Sequence, residues 1–336
     1  MFLLSKKKLI YFIVFLLAIS SYILNSNIFL APLLVLFFNF KKESIFLYFI
    51  SFFGVFFIIF NGIYQSVQFL FYIYIIIYCS DFFKNDFKDA ISFFSISVII
   101  FLSLCLLFPQ QYSDILSVIS LKSRMWPIIN GTAVNPNVIG MISLVACIYF
   151  FKEKKYLFFT IGLYFIILSQ SRASLGLLIL ACVLIREVKI KSLISLVFLG
   201  GFLYFFLENS ILLGRIQNDG DNNRVYLFYS YWDMVSSSFP FSVNTNIYGN
   251  IVDKIGFLDN LYVKILFDYG ISGLLFLLIP IYFFIKYRVF KDRFKLILFS
   301  VFFILGFVES SYLNNAMMLI MFSSLLKSSD SKVIYK

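Results

Sequence analysis

The stretch that decides the fold is DNLYVKILFDYGISGLLFLLIPIYFFI, residues 259–285. It opens with a carboxylate and an amide, Asp259 and Asn260, and then becomes almost entirely apolar. A run of about 20 apolar residues is long enough to cross a membrane as a helix. Lys264 and Asp268 lie near the start of this run. Because charged side chains are costly inside a membrane, they predict a functional site at this helix end.

The composition of the whole chain points the same way. Hydrophobic residues make up 61% of the 336 residues, charged residues only 13%, and the mean hydropathy is +0.94. Soluble domains carry about 25% charged residues. We therefore expect one all-α polytopic membrane domain over 1–336, with about twelve transmembrane helices. The apolar runs lie near 9–24, 28–40, 44–60, 65–79, 90–108, 137–151, 156–168, 173–185, 192–207, 261–285, 296–310 and 312–326.

The basic residues are distributed unevenly between the two sides of this topology. If the helices alternate from a cytoplasmic N-terminus, 21 of the 28 Lys and Arg residues lie on the inner side. This asymmetry orients membrane proteins, so the net charge of +11 reflects topology and nucleic acid is not an expected partner. Two long outer loops result: a smaller one over 109–136, and a large one over 208–259 between the ninth and tenth helices. The first run lacks a clear cleavage pattern and is expected to be retained.

Metal and redox chemistry are not indicated. The sequence contains no histidine, which removes the commonest metal ligand and the commonest general base near neutral pH. Its cysteines have no paired spacing, so we interpret them as small core residues. We expect no metal and no cofactor. The cysteines are Cys79, Cys105, Cys147 and Cys182.

Arginine is concentrated on the outer side beyond what topology requires. The inner side has 18 Lys and 3 Arg, whereas the outer side has 3 Lys and 4 Arg. The planar guanidinium is preferred where phosphate or carboxylate must be gripped. The alternative is that these side chains snorkel at the interface or pair with Asp219, Asp221 and Asp233. The outer arginines are Arg124, Arg172, Arg215 and Arg224.

Three polar groups lie at helix starts that face outward in this topology. Such starts bind anions through free backbone N–H groups. The groups are Asn135-Pro136-Asn137, Ser169-Gln170-Ser171-Arg172-Ala173-Ser174 and Asp259-Asn260. Asn135 and Pro136 also fit an ordinary N-cap and first helical residue. Arg172 has no acidic neighbour in sequence, and small residues surround it, which favours a binding role.

The third group has structural alternatives as well. Asn260, Lys264 and Asp268 recur every four residues and share one helix face, where the two charges would pair with each other. Asp259 is either an N-cap or a general base. Glu309 is a candidate acid or base, or a buried partner for an arginine. We interpret Gly270 and Gly273 as close helix-packing positions.

Aromatic residues mark the large outer loop. The stretch from Arg224 to Met234 predicts a helix lying at the membrane interface. Trp126 and Trp232 both fall in outer loops, where they fit either sugar stacking or an interfacial belt.

Taken in order, these features resemble the O-antigen ligase and polymerase superfamily of bacterial surface-polysaccharide assembly. The resemblance covers about residues 124–285, roughly half of the chain. The pieces that carry it are Asn135-Pro136-Asn137, Ser169-Gln170-Ser171-Arg172, Arg224 with its aromatic helix, and Asp259-Asn260-Leu261-Tyr262 running into Tyr269-Gly270-Ile271-Ser272-Gly273.

The resemblance implies a metal-independent, inverting glycosyltransferase of the GT-C type at the periplasmic face of the bacterial inner membrane. Its substrates would be oligosaccharides linked to undecaprenyl diphosphate, and membrane lipid and a chain-length regulator are further candidate partners. The family's ligases carry a histidine in the motif that here reads Asp259-Asn260, so the lack of histidine favours the polymerase branch for lipopolysaccharide O-antigen or capsule.

Roles follow for each candidate residue. Arg172, Arg224, Arg215 and Arg124 would hold the leaving diphosphate. Asp259, or else Glu309, would act as the base toward the acceptor hydroxyl. The expected substrate contacts are Asn135, Asn137, Asn260, Tyr262 and Trp232. A repeat-unit flippase is the alternative from a different class, and a ligase is disfavoured.

Overall fold

The computed structural model describes residues 6–23, 86–129, 131–186, 222–243, 260–308 and 315–325. This part of the chain is mostly helical, which confirms the α-class of the fold. The helices are α1 (Lys6–Ile23), α2 (Phe87–Cys105), α3 (Ile115–Ile119), α4 (Pro136–Lys152), α5 (Tyr156–Ser169), α6 (Arg172–Arg186), α7 (Asn222–Ser238), α8 (Leu261–Tyr269), α9 (Ile271–Lys286), α10 (Arg293–Val308) and α11 (Asn315–Leu325). A 3-10 turn covers Val289–Lys291, and a hairpin pairs β1 (Ile128–Ile129) with β2 (Thr132–Ala133).

Seven of the predicted apolar runs coincide in position with single described helices, namely α1, α2, α4, α5, α6, α10 and α11. Among the described residues only α2 is both long and apolar enough to cross a membrane. Shorter apolar segments are Ile10–Ile19, Pro136–Lys152, Tyr156–Ser169 and Leu277–Lys286. The runs near 28–40, 44–60, 65–79 and 192–207 lie outside the described residues.

Helix α4 is the centre of the bundle. Every residue from Val138 to Phe150 is buried, which is expected of a helix that is apolar on all sides. It packs against α2, α5 and α6, while α1 and α11 cover the other side of α2. Helix α10 closes the bundle against α6 and α11. Cys105, Cys147 and Cys182 are buried and free, which confirms their interpretation as core residues; Cys79 lies outside the described part.

The predicted inner residues come together at one end of the bundle. Lys88 forms an ion pair of 3.0 Å with Glu153. Arg293 donates a 2.5 Å hydrogen bond to the backbone carbonyl of Leu184. These contacts join the start of α2 to the end of α4, and the end of α6 to the start of α10. In these four helices the ends predicted to lie on the inner side therefore contact one another in pairs.

The run at 261–285 was expected to form one helix, and this expectation is wrong. It is two helices, α8 and α9, which are separated by Gly270 with φ +56° and ψ −141°. The chain from Pro240 to Val243 lies against this break, where Ile271 N–H donates to Pro240 O at 2.9 Å. A β-carbon on Gly270 would lie 2.6 Å from the carbonyl carbon of Phe241. Gly270 is therefore a glycine because of its backbone, not because two straight helices pack there.

Gly273 does pack closely, as expected. A β-carbon there would overlap Ile265 and would lie 2.7 Å from its carbonyl oxygen. The absence of a side chain lets the start of α9 fold back on α8. Gly270 is therefore required both by its positive φ and by the close 240–241 backbone, whereas Gly273 is required by a close contact alone.

Candidate functional site

Arg124 connects the loop before α4, which is the smaller of the two predicted outer loops, to the ends of two helices. Its Nε donates to the carbonyl oxygen of Ser169 at 2.8 Å, and Nη2 donates to Oδ1 of Asn137 at 2.6 Å. The guanidinium also lies 5.9 Å from the ring centre of Trp126. Next to it, Met125 N–H donates to Leu168 O at 2.8 Å. Residues 45 positions apart in the chain are thus held together by one side chain and its neighbouring amide.

The loop itself is an ordered structure. Gln110 accepts from Trp126 N–H at 2.8 Å, and its amide donates to Phe108 O at 2.9 Å. The Trp126 ring packs edge-on against Tyr112, with ring centres 5.0 Å apart. Asp114 caps α3 by accepting from Ser117 N–H at 3.1 Å. Hydrogen bonds from the hydroxyl and backbone of Ser117 hold the pKa of Asp114 below its usual value.

Two helix starts meet beneath this loop. Asn135 caps α4 by accepting from Asn137 N–H at 2.9 Å, and Pro136 occupies the first turn, which confirms the ordinary capping interpretation. A β-carbon on Gly140 would lie 2.5 Å from Cβ of Ser171 and 2.7 Å from Oγ of Ser169. The first turns of α4 therefore contact the turn between α5 and α6 directly.

The turn between α5 and α6 is unusual in its backbone and its polarity. Gln170 has a left-handed backbone with φ +50° and is only 5% exposed. Its Oε1 has no hydrogen-bond partner in the described part of the structure. Ser171 Oγ lies 2.9 Å from Ser174 Oγ and accepts from Ser174 N–H at 3.4 Å. Arg172 begins α6 and is exposed.

A second polar group joins α8 to the C-terminal end of α10. Asn260 caps α8 by accepting from Val263 N–H at 3.1 Å, so the alternative that Asp259 is the N-cap of this helix is wrong. Asn260 also donates to Phe307 O at 3.2 Å. The Tyr262 hydroxyl donates to Phe303 O at 2.6 Å. A β-carbon on Gly306 would lie only 2.9 Å from the same hydroxyl oxygen, so Tyr262 fits against a glycine of α10.

Lys264 and Asp268 form the expected pair along α8. The ammonium lies 3.2 Å from one carboxylate oxygen and 3.4 Å from the other. Because the two charges pair with each other, neither is a free candidate for catalysis. Burying either partner alone would be far more costly than burying the two together.

Helix α7, predicted as an aromatic helix of the large loop, has two contrasting faces. Tyr231, Met234 and Val235 are buried and cluster with Val263 and Phe267 of α8. The opposite face carries Tyr226, Tyr229, Asp233 and Ser236, which recur at helical spacing and are all exposed. On its flank Phe228 and Trp232 lie parallel, 6.3 Å between centres and 3° between planes.

The structure brings together two of the four pieces that carry the resemblance, Asn135-Pro136-Asn137 and the turn before Arg172. Arg124, Asn137 and the turn before Arg172 form one group; Asn260 and Tyr262 form a second, and Trp232 lies on α7. Arg224 belongs to the first turn of α7. Asp259, Glu309 and Arg215 lie outside the described residues.

Sequence reasoning missed Gln110 and Gly140 as parts of this arrangement, and it gave Gln170 no role of its own within the Ser169–Ser174 group. Only Gln170 had a usable signal, because it stands between two serines at a helix junction. Gln110 and Gly140 acquire their roles through contacts that are distant in sequence. Among the described residues no group of three or more Cys, Asp or Glu side chains is arranged to hold a metal ion.

Comparison with known proteins adds no assignment. No protein-family model, no curated protein and no solved structure matches this chain.

Proposed function

We propose that this chain is a surface-polysaccharide polymerase of the bacterial inner membrane, with about twelve transmembrane helices and a GT-C-like fold. It would transfer the growing glycan from undecaprenyl diphosphate to the non-reducing end of a new lipid-linked repeat unit. The predicted outer end of the bundle would face the periplasm and carry the reaction. O-antigen and capsule are both within this class.

The observation that carries the proposal is the pair of hydrogen bonds that Arg124 donates to Asn137 and Ser169. It anchors the 109–135 loop to the start of α4 and the end of α5, so that Asn137 and the turn before Arg172 share one surface. Two neighbouring helix starts and a guanidinium form an environment suited to an anion. In this arrangement Arg124 positions the site, and the exposed Arg172 is the cation proposed to contact a lipid-linked diphosphate.

The proposed chemistry is a single displacement. The acceptor hydroxyl attacks the anomeric carbon of the donor sugar, and the bond from that carbon to the diphosphate oxygen breaks with inversion. The leaving diphosphate carries away the bonding electrons and is stabilised by Arg172, Arg224 and Arg215 in place of a metal ion. The hydroxyl proton passes to a carboxylate.

Asp259 is our first candidate for that carboxylate, and Glu309 is the second. Asp259 directly precedes Asn260, and Glu309 follows Phe307 by two positions in the sequence. Asn260 and Phe307, which are close in sequence to the two candidates, are joined by a hydrogen bond. Because Asn260 itself caps α8, Asp259 is not required for capping.

The exposed face of α7 is the proposed contact for the glycan. Tyr226 and Tyr229 are 62% and 61% exposed, and their phenols combine a flat apolar ring with a hydrogen-bonding tip. Asp233 and Ser236 on the same face supply acceptors for sugar hydroxyls. A face of this kind suits a ligand that alternates C–H and O–H groups better than it suits bare hydrocarbon.

A flippase for the same lipid-linked unit is favoured by one observation, the break at Gly270. Transporters commonly place a broken helix beside their substrate. The two functions differ in what accumulates when the chain is removed. Single lipid-linked units on the outer leaflet indicate a missing polymerase, whereas units on the inner leaflet indicate a missing flippase.

The decisive experiment is reconstitution of the purified chain in liposomes with a synthetic lipid-linked repeat unit. The proposal expects products of two or more repeats without added metal, and the same products in the presence of a chelator. Translocation of the unit without any product longer than one repeat would replace the polymerase with the flippase. Transfer to a lipid A acceptor would instead indicate a ligase.

A further inference from the structure

Two lysines at the inner end of the bundle lie against neighbouring aromatic rings. Lys152 Nζ is 3.8 Å from the ring centre of Phe294, and Lys295 Nζ is 5.2 Å from that of Phe87. The two rings are themselves 6.4 Å apart between centres. The rings hold two ammonium groups at the junction of α2, α4 and α10.

Aromatic contacts stabilise these cations but leave their charge unneutralised. Asp292 attracts both ammonium groups and Glu153 attracts Lys152, but each carboxylate also has another partner. Glu153 pairs with Lys88 at 3.0 Å, and Asp292 accepts from the backbone N–H groups of Phe294 and Lys295 at 3.0 and 3.2 Å. Within the described residues neither Lys152 nor Lys295 forms an ion pair.

The helix dipole favours the position of only one of the two lysines. Lys152 lies in the last turn of α4, where a cation favours the helix dipole. Lys295 lies in the first turn of α10, where its charge opposes the dipole and where Asp292 offsets part of that cost. Because the same carboxylate attracts Lys152 as well, one anion is shared between two ammonium groups and the junction suits a further anion.

We infer that Lys152 and Lys295 form a binding site for the phosphate of an anionic phospholipid, such as phosphatidylglycerol, in the inner leaflet. Basic pockets between membrane helices on the cytoplasmic side suit such headgroups. Exposed apolar side chains of the same end, Ile285 at 63% and Phe290 at 49%, provide a surface for acyl chains. This inference rests on the membrane assignment in the proposed function but not on the polymerase chemistry.

The test is native mass spectrometry of the purified full chain incubated with phosphatidylglycerol or with phosphatidylcholine. The wild type should retain phosphatidylglycerol at least about tenfold better, and the double substitution Lys152→Gln with Lys295→Gln should abolish that preference. Lys154→Gln with Lys291→Gln is the matched control. It removes two exposed cations from the same end, neither of which has a described ring contact, and should keep the preference.

Equal losses in the two double variants would overturn the inference, because lipid retention would then depend on net charge alone. A wild type without preference would also overturn it. Lys152→Arg with Lys295→Arg is the control for misfolding. It preserves both cations and should retain phosphatidylglycerol as the wild type does. None of these measurements requires polymerisation, so the inference and the proposed function fail separately.

Discussion

Arg124 and Asn137 are thirteen residues apart in sequence and are joined by a 2.6 Å hydrogen bond from guanidinium to side-chain oxygen. The same guanidinium reaches Ser169, so a single residue aligns a loop with the junctions of three helices. The sequence had suggested Arg124 as a phosphate ligand. Its described contacts are those of a positioning residue, and the phosphate role stays a prediction.

Arg124→Gln should therefore loosen the loop over 109–135. Losing charged hydrogen bonds to partly buried acceptors costs about 1–3 kcal/mol. Faster hydrogen exchange in that segment, together with a lower unfolding temperature in detergent, is the expected result. Lys122→Gln removes an exposed cation two residues earlier and should change neither quantity. Identical exchange in both variants would show that Arg124 does not hold the loop.

Gly140→Ala should separate α4 from the turn at Ser171. The added methyl would lie 2.5 Å from Cβ of Ser171, and overpacking of this kind costs about 1–3 kcal/mol. Gly176→Ala is the matched control, because nothing lies within 4 Å of its β-carbon position. In α6 that control should be neutral or stabilising by up to about 1 kcal/mol. Denaturant unfolding of both variants checks the difference in sign.

Much of this fold could be predicted from local pattern. The apolar runs located most of the described helices, and Asn135-Pro136 predicted the start of α4, because both signals depend on residues close in sequence. The Lys264–Asp268 pair was likewise predictable, since positions four apart face each other on any helix.

What could not be predicted depends on contacts that are distant in sequence. The break at Gly270 arises where Pro240 and Phe241 pack, and apolarity alone carries no information about a positive φ. Arg124 reaches a carbonyl 45 residues away, which no spacing rule anticipates. Asn260 and Asp259 are equally good caps by residue type, and only the backbone at Asn260 distinguishes them.

Gly270→Ala should destabilise the chain more than Gly131→Ala. Both glycines have positive φ, so both variants incur a left-handed strain of about 1–2 kcal/mol. Only Gly270 adds steric overlap with the Pro240–Phe241 backbone, whereas nothing lies within 4 Å of the β-carbon position at Gly131. The difference in unfolding free energy should exceed about 1 kcal/mol. Equal costs would mean that the 240–243 segment does not pack on the break in solution.

The loop should loosen in acid through Asp114. Its pKa is lowered in the folded protein, so its contribution to stability is present above the unfolded pKa of about 4 and disappears as pH falls through the folded value. Trp126 emission, measured in Trp232→Phe so that only one tryptophan remains, should shift below about pH 4. Asp114→Asn keeps a capping side chain without a titrating group and should flatten that shift. A shift of the same size in Asp114→Asn would assign the transition to another carboxyl.

Arg172→Ala and Arg224→Ala should each abolish polymer while the protein still inserts. A cation that stabilises a leaving diphosphate contributes most in the transition state, and loss of one such donor lowers turnover by about 100- to 1,000-fold. Lipid-linked single units should accumulate on the outer leaflet. Arg172→Lys should recover only part of the activity, because an ammonium cannot reproduce the planar guanidinium fork. Lys291→Ala, an exposed cation at the opposite end of the bundle, should leave chain length unchanged. Wild-type polymer in both arginine variants would show that these arginines do not stabilise the leaving diphosphate. The main reason to assign catalysis to the end of the bundle that contains Arg124 would then be lost.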